Sequence, residues 1–242
     1  MPDVPLLLLH PFPFDSRVFD ALAIRLAELS LLTPELRGSG QPTLDEFADQ
    51  VIGVLDAHGA ERAVVGGVSM GGYVALNVLR RYPHRLAGLV LIDTKASADP
   101  PTALDNRAAM ATNADRGVRP DPAQLLSGML SPVTFERRPQ LVAALTAIID
   151  EQPVASIAWN QRAMAGRPDS STVLASANVP VLVVVGADDT ITPPAAARQM
   201  ADTAPEATLV NIDGTGHLAV AEDPDAVAGA IIEWWPAILR NS

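Results

Sequence analysis

The residues of this chain best suited to chemistry are one serine, a pair of aspartates and one histidine, each close to glycine. Residues 63–73 read AVVGGVSMGGY. A short apolar run ends in Gly67-Val68-Ser69-Met70-Gly71, and a helical pattern (Val74, Ala75, Val78, Leu79) follows at once. Strand, Gly-x-Ser-x-Gly, then helix is the setting of a nucleophile elbow, a turn so tight that the residues two before and two after the serine must lack bulk. The turn puts Ser69 at a helix N-terminus, where free N–H groups and the helix dipole favour developing negative charge. The chemistry implied is attack of an activated hydroxyl on a carbonyl. The competing reading, a glycine-rich turn with an idle serine, leaves the strand and helix flanks unexplained.

A serine needs a base to act near neutral pH, and imidazole is the usual one. His58 lies at a helix end before Gly59, where a cation suits the dipole. His84 follows Pro83 in a turn away from the elbow, and His10 ends the first apolar run beside a Pro-rich loop. His217, in Gly214-Thr215-Gly216-His217, follows the last apolar run, and small residues there let a loop carry the ring over a sheet edge. It also fits the chain order Ser, acid, His, so it is the expected base. The acid belongs after a strand between Ser69 and His217. Gly186-Ala187-Asp188-Asp189-Thr190 follows the most hydrophobic run in the chain, and Asp93, at the end of another run, is the rival.

An oxyanion hole takes one N–H from the residue after the nucleophile and one from the loop after the first strand. Met70 supplies the first. In Pro11-Phe12-Pro13 neither proline has an N–H, so Phe12 is the donor by elimination.

The elements that must position these groups alternate between apolar runs and amphipathic stretches, the pattern of a parallel sheet covered on both faces. Strands are predicted at Pro5–His10, Leu29–Thr33, Ala63–Val68, Leu86–Asp93, Val179–Gly186 and Ala207–Asp213. Ser16 is read as the cap of a helix through Leu22 and Leu29. Thr43 and Glu46 are read as a capping box for a helix through Phe47, Val51 and Leu55, closed by Gly59. Further helices are expected up to Tyr82, over Pro194–Thr203 and from Asp223-Pro224 to about Trp235. Residues 95–178 hold no convincing strand but helical patterns over Asn106–Asn113, Pro122–Leu130, Pro139–Ile149 and Val154–Ala165, split by prolines, and are read as an inserted helical cap. Residues 1–94 and 179–242 then form the core. The cap carries eight acidic and eight basic residues, which leaves the whole net charge of −11 on the core.

That charge, with a pI near 4.7, argues against nucleic acid or an anionic membrane as partner. There is no cysteine, so no thiol nucleophile, disulfide or Cys-ligated metal is expected. The apolar run Leu6–Leu9 is too short for a signal peptide and no basic residue precedes Arg17, which makes the cytoplasm the expected compartment. No apolar stretch approaches the roughly 18 residues of a transmembrane helix.

The chain resembles the α/β-hydrolases over nearly its whole length: GVSMGGYVAL, the loop Arg37-Gly38-Ser39-Gly40, GADDTITP and GTGHLAVAEDP match that family in order and setting. The resemblance implies the α/β-hydrolase fold, with a mostly parallel sheet of about six strands and a cap. It favours Asp189 over Asp188 as the acid. RRYPHRLAGLVLIDTKASAD and NQRAMAGRPDS are similar to the branch of small bacterial esterases and lactonases that includes 3-oxoadipate enol-lactonase. Three departures stand out: His10-Pro11 in place of His-Gly, Glu35 in place of Asp before the Arg-Gly loop, and a start at the family's third strand. The expected activity is cofactor-free and metal-free hydrolysis of a small-molecule ester or lactone by Ser69, His217 and Asp189. Perhydrolysis, C–C bond hydrolysis or ligand reception without turnover could use the same residues. Under a cap, Trp159 should border the pocket, and Arg162 beside it could meet an anionic substrate.

Overall fold

In the computed structural model, which describes residues 4–240, four apolar runs become strands buried along their whole length. These are β1 (Leu6–Leu9), β3 (Ala63–Val68), β4 (Leu86–Ile92) and β5 (Val181–Gly186). The edges of the sheet are the short β2 (Leu31–Leu32) and the half-exposed β6 (Ala207–Ile212). All neighbours pair in parallel, in the order β2-β1-β3-β4-β5-β6. The runs look continuous in sequence, but their side chains alternate between two cores. Leu7, Leu9, Val65, Leu91 and Val183 enter one; Leu6, Leu8, Val64, Ile92 and Val184 enter the other.

Thirteen α-helices lie among the described residues. The helices of the core are α1 (Asp20–Arg25), α2 (Leu44–Ala57), α3 (Met70–Arg81), α10 (Pro194–Thr203), α11 (Ala219–Glu222), α12 (Pro224–Trp234) and α13 (Pro236–Arg240). Between β4 and β5 stand α4 (Pro101–Asp115), α5 (Pro122–Met129), α6 (Pro132–Arg137), α7 (Pro139–Glu151), α8 (Val154–Ala165) and α9 (Ser171–Ala175). These six divide. Residues of α4 and α8 join the core of α2, α3 and α10, residues of α5 and α7 join that of α1 and α12, and α9 packs on α3 and α10. The inserted helices therefore straddle the sheet.

Strand order places the site. From β1 the chain moves outward to β2, and from β3 it moves the other way to β4, so the connections after the adjacent strands β1 and β3 diverge. A crevice opens at the carboxyl ends of such a pair, where ligands bind in open α/β sheets. The loop His10–Phe14 and the turn at Ser69 occupy it, with Leu9 paired to Gly67.

Two local expectations fail. Thr43 makes no side-chain cap bond on α2, because Glu46 is turned outward to accept from Ser39 N (2.6 Å), Ser39 Oγ (3.0 Å) and Gly40 N (3.0 Å). Three donors from the Arg-Gly loop outcompete the single amide a capping box offers. Near the N-terminus, Asp15 rather than Ser16 is the cap; its carboxylate accepts from Arg17 N, opening a 3-10 turn over Ser16–Phe19 ahead of α1.

Candidate active site

Ser69 joins β3 to α3 with φ +51° and ψ −110°, a conformation that L-residues rarely hold and that costs about 1–3 kcal/mol. The turn is pinned on both sides. Ser69 N–H donates to Ile92 O (3.0 Å), and its carbonyl accepts from Thr94 Oγ1 (2.8 Å) and Tyr73 N–H (3.2 Å). The flanking glycines are required by contact: a Cβ on Gly67 would lie 2.2 Å from the Gly71 carbonyl carbon, and one on Gly71 2.1 Å from Leu9 O. The Tyr73–Ser69 bond is the first of α3, so the N–H of Met70 precedes the helical ladder.

His217 and Asp189 are brought together from the loops after β6 and β5. His217 Nδ1 lies 2.8 Å from Asp189 Oδ2, both side chains being buried. Asp189 Oδ1 accepts from Ile191 N–H (2.8 Å) and Thr192 N–H (3.0 Å), and Thr192 Oγ1 donates to Oδ2 (2.7 Å). Burial opposes charge on Asp189, yet its hydrogen bond to His217, the His217 charge and the Thr192 donors hold its carboxyl below the usual range. Burial likewise opposes charge on His217, but the bond to Asp189 and its charge, then the charges of Asp93 and Glu222, carry the imidazole above its ordinary value. With Nδ1 held by Asp189, Nε2 is the nitrogen free for proton exchange. Asp188 is exposed and touches this region only through its N–H, which donates to Thr215 O.

Asp93 is fully buried at φ +44°. Its oxygens accept from Gly186 N (2.8 Å) and Ala219 N (3.0 Å), amides of the two segments that carry Asp189 and His217. Burial raises its carboxyl to about 7, with His217 pulling down and Asp189 pushing up.

Phe12 is buried in the loop after β1. That loop is held by His10, whose Nε2 accepts from Leu36 N–H (3.0 Å) while Nδ1 faces Pro11 O (3.2 Å). Burial lowers the His10 pKa, which suits a ring that must stay neutral to accept at Nε2. Of the other histidines, His58 is tied at Nδ1 to Val54 O at the end of α2, and His84 is exposed.

Trp159 and Arg162, the two residues expected to border a substrate, both lie on α8. The Trp159 ring lies over Gly38 and packs on Phe47 with centroids 4.7 Å apart, and its Nε1 donates to Gly40 O (3.1 Å). It fastens α8 to the Arg-Gly loop. Arg162 is exposed and paired with Asp115, between α8 and the end of α4. Its spacing from Trp159 placed both on α8 but could not say which face turned outward.

Sequence reasoning passed over Thr192, Thr94 and Glu222. Glu222 stands five residues past His217 in the quoted GTGHLAVAEDP, yet an acid before a helix-starting Asp-Pro reads as capping. Also missed is a buried cluster on Asp99, which meets Lys95 (2.9 Å), Arg107 (2.6 Å) and Arg167 (2.9 Å). Among the described residues, no group of three or more His, Asp or Glu side chains could hold a metal ion, and no single helix is long and apolar enough to cross a membrane.

The model of the alpha/beta hydrolase family matches residues 6–230. The pimeloyl-[acyl-carrier protein] methyl ester esterase of Aromatoleum aromaticum is 32% identical over 241 residues, covering 92% of this chain and 94% of the relative. A thermophilic esterase from Thermogutta terrifontis, solved with malate bound, superposes with a TM-score of 0.93 at 36% identity, over 97% of this chain and 90% of that one. The enol-lactonase of Burkholderia xenovorans LB400 shares the fold at a TM-score of 0.84 and 22% identity, over 96% and 92% of the two chains. With a strained serine at the β3–α3 turn, an Asp189–His217 pair on the loops after β5 and β6, a family model matching residues 6–230 and relatives of this kind, the chain belongs to the alpha/beta hydrolase family.

Proposed function

We propose that the protein hydrolyses small carboxylic esters or lactones through an acyl-enzyme on Ser69. The observation that carries this is the 2.8 Å contact of His217 with a buried, fully hydrogen-bonded Asp189, in a fold that presents Ser69 on a strained turn. Ser69 Oγ adds to the carbonyl carbon as its proton passes to His217 Nε2. The resulting oxyanion is bound by the N–H groups of Phe12 and Met70. Collapse breaks the bond to the leaving oxygen, which takes the proton from His217. Water then adds to the acyl carbon with His217 as base, releasing the acid and restoring Ser69. Asp189 keeps Nδ1 protonated and stabilises the imidazolium. In this reading, residues 95–178 act as a helical cap over the crevice, supported by the packing of their helices on both sheet faces. The ester and lactone names among the relatives supply the substrate class.

The test is a panel of p-nitrophenyl esters and small lactones with purified protein. Multiple turnovers abolished by Ser69→Ala, with a phosphonate adduct on Ser69, support the reading. A single slow burst without turnover, or activity that survives Ser69→Ala, overturns it.

A further inference from the structure

We infer that Glu222 is a positioning residue that fastens the histidine loop to the segment between α5 and α6, so that the place of the His217 ring depends on the inserted helices. This rests on the reading of Ser69 and His217 given above. The Glu222 carboxylate is buried, and each oxygen accepts a backbone N–H from a different part of the chain. Oε1 takes that of Gly216 (2.8 Å), the residue before His217, and Oε2 takes that of Ser131 (2.9 Å). The same segment holds the histidine directly, since His217 N–H donates to Met129 O at 2.6 Å. Arg138, where α6 meets α7, reaches the Glu222 carbonyl through Nη1 at 2.5 Å. There is no slack between the two loops: a Cβ on Gly216 would lie 2.5 Å from Met129 O and 2.7 Å from Ser131 N.

The residue type is specific to this task. A carboxylate accepts at both oxygens, whereas the amide of Gln would turn an NH2 toward one of the two N–H donors. Asp keeps the charge but is one methylene too short to span both loops. Glu222 thus does two separable things. It sets the loop by geometry, and its charge favours the His217 imidazolium, after Asp189 and Asp93 and against the effect of burial. Arg138, at the junction of α6 and α7, is bound at the backbone carbonyl of Glu222.

The experiment measures kcat and KM on a p-nitrophenyl ester for Glu222→Gln, Glu222→Asp and Ser131→Pro, with active sites counted by phosphonate titration. Ser131→Pro deletes the N–H donor where φ is already −60° and Leu130 is extended, as a residue before proline must be. It also deletes the hydroxyl that caps α6 by accepting from Thr134 N–H, a loss that Ser131→Ala, which keeps the N–H, reads separately and that should leave kcat near wild type. Expected is a fall in kcat per titrated site of roughly 10- to 100-fold in Glu222→Gln, Glu222→Asp and Ser131→Pro, the scale of a small misplacement of a reacting group, with KM little changed. The midpoint of the kcat/KM pH profile should move down in Glu222→Gln alone. Unchanged kcat per titrated site in Glu222→Gln overturns the inference. If that variant does not fold, unchanged kcat in Ser131→Pro does so. Wild-type turnover in Ser69→Ala and His217→Ala would instead mean that the reading of the site had failed.

Discussion

Asp189 grips His217 with one oxygen and its own turn with the other: Oδ2 meets Nδ1 at 2.8 Å while Oδ1 accepts from Ile191 and Thr192 N–H. The carboxylate therefore cannot swing away from the ring without breaking two backbone bonds. Replacing Asp189 by Asn keeps the shape and presents the wrong partner to Nδ1. Asp189→Asn should lower kcat on the order of 10⁴-fold, measured by steady-state ester hydrolysis. Asp188→Asn, at an exposed position, should leave turnover near wild type. Asp93→Asn should keep most turnover but cost about 1–3 kcal/mol in denaturant melts, because one of two buried amides loses its acceptor. A crippled Asp93→Asn beside an active Asp189→Asn would reassign the acid.

The strain at Ser69 gives a prediction that separates fold from chemistry. With φ at +51°, Ser69→Gly should raise stability by about 1 kcal/mol, glycine tolerating this region freely. Ser69→Ala should leave the melting temperature close to wild type. Both should lack hydrolysis, so the pair rises and stays level in stability while falling together in activity.

Activity and stability should run in opposite directions with pH. His217, carried above its ordinary value by Asp189 against burial, must lose its proton to act as base. So kcat/KM should climb with pH through a midpoint above the ordinary imidazole value of about 6.5. A raised imidazole contributes stability that is complete below its unfolded value and lost as pH rises through the folded one. Asp93, raised by burial from 3.8 to about 7, acts in the same sense: the folded state holds a proton that the unfolded state releases. The stability advantage of wild type over Asp93→Asn should therefore shrink between pH 4 and 7, read from denaturant melts across that range. An advantage that grows with pH would contradict this.

Trp159 fastens α8 to the loop of Gly38 and Gly40. Its ring packs on Phe47 and Gly38 and its Nε1 bonds Gly40 O. Trp159→Ala should cost about 3 kcal/mol, the low end for a large aromatic, since the ring is only partly buried. Trp159→Phe should cost about 1 kcal/mol, the value of the hydrogen bond. The ranking of esters by kcat/KM should change little in either.

What the sequence disclosed was whatever has a short-range signature. The elbow is legible because its strand, glycines and helix are contiguous, and His217 because small residues surround it. The four inner strands were legible because a sheet covered on both faces needs uninterrupted apolar runs there. Side chains that answer to distant partners were not legible. Glu46 has the spacing of a capping box but turns to Ser39 and Gly40, and Arg162 has the charge of an anion binder but is taken by Asp115. The carboxylate of Glu222 finds Ser131, 91 residues away in sequence, and no local pattern announces such a pair. The short α6 and α9 were missed because five or six residues are too few to show a helical period.

The long excursion between β4 and β5 begins and ends on strands that are hydrogen-bonded neighbours, with Ile92 beside Val184. The strands run parallel and Val181, where β5 begins, stands beside Leu89, so the two ends, Ile92 and Val181, are anchored about 11 Å apart whatever lies between them, and the entropy of closing such a loop grows only with the logarithm of its length. The sheet does not register how many residues the excursion contains. The closure cost alone therefore leaves room for helices to be gained, lost or traded there while β1, β3, β5 and β6 keep their places. Two obligations travel with any replacement, a carbonyl where Met129 meets His217 N–H and an amide where Ser131 meets Glu222. A grafted segment that supplies both keeps the histidine loop supported; one that omits them leaves it without its outer support.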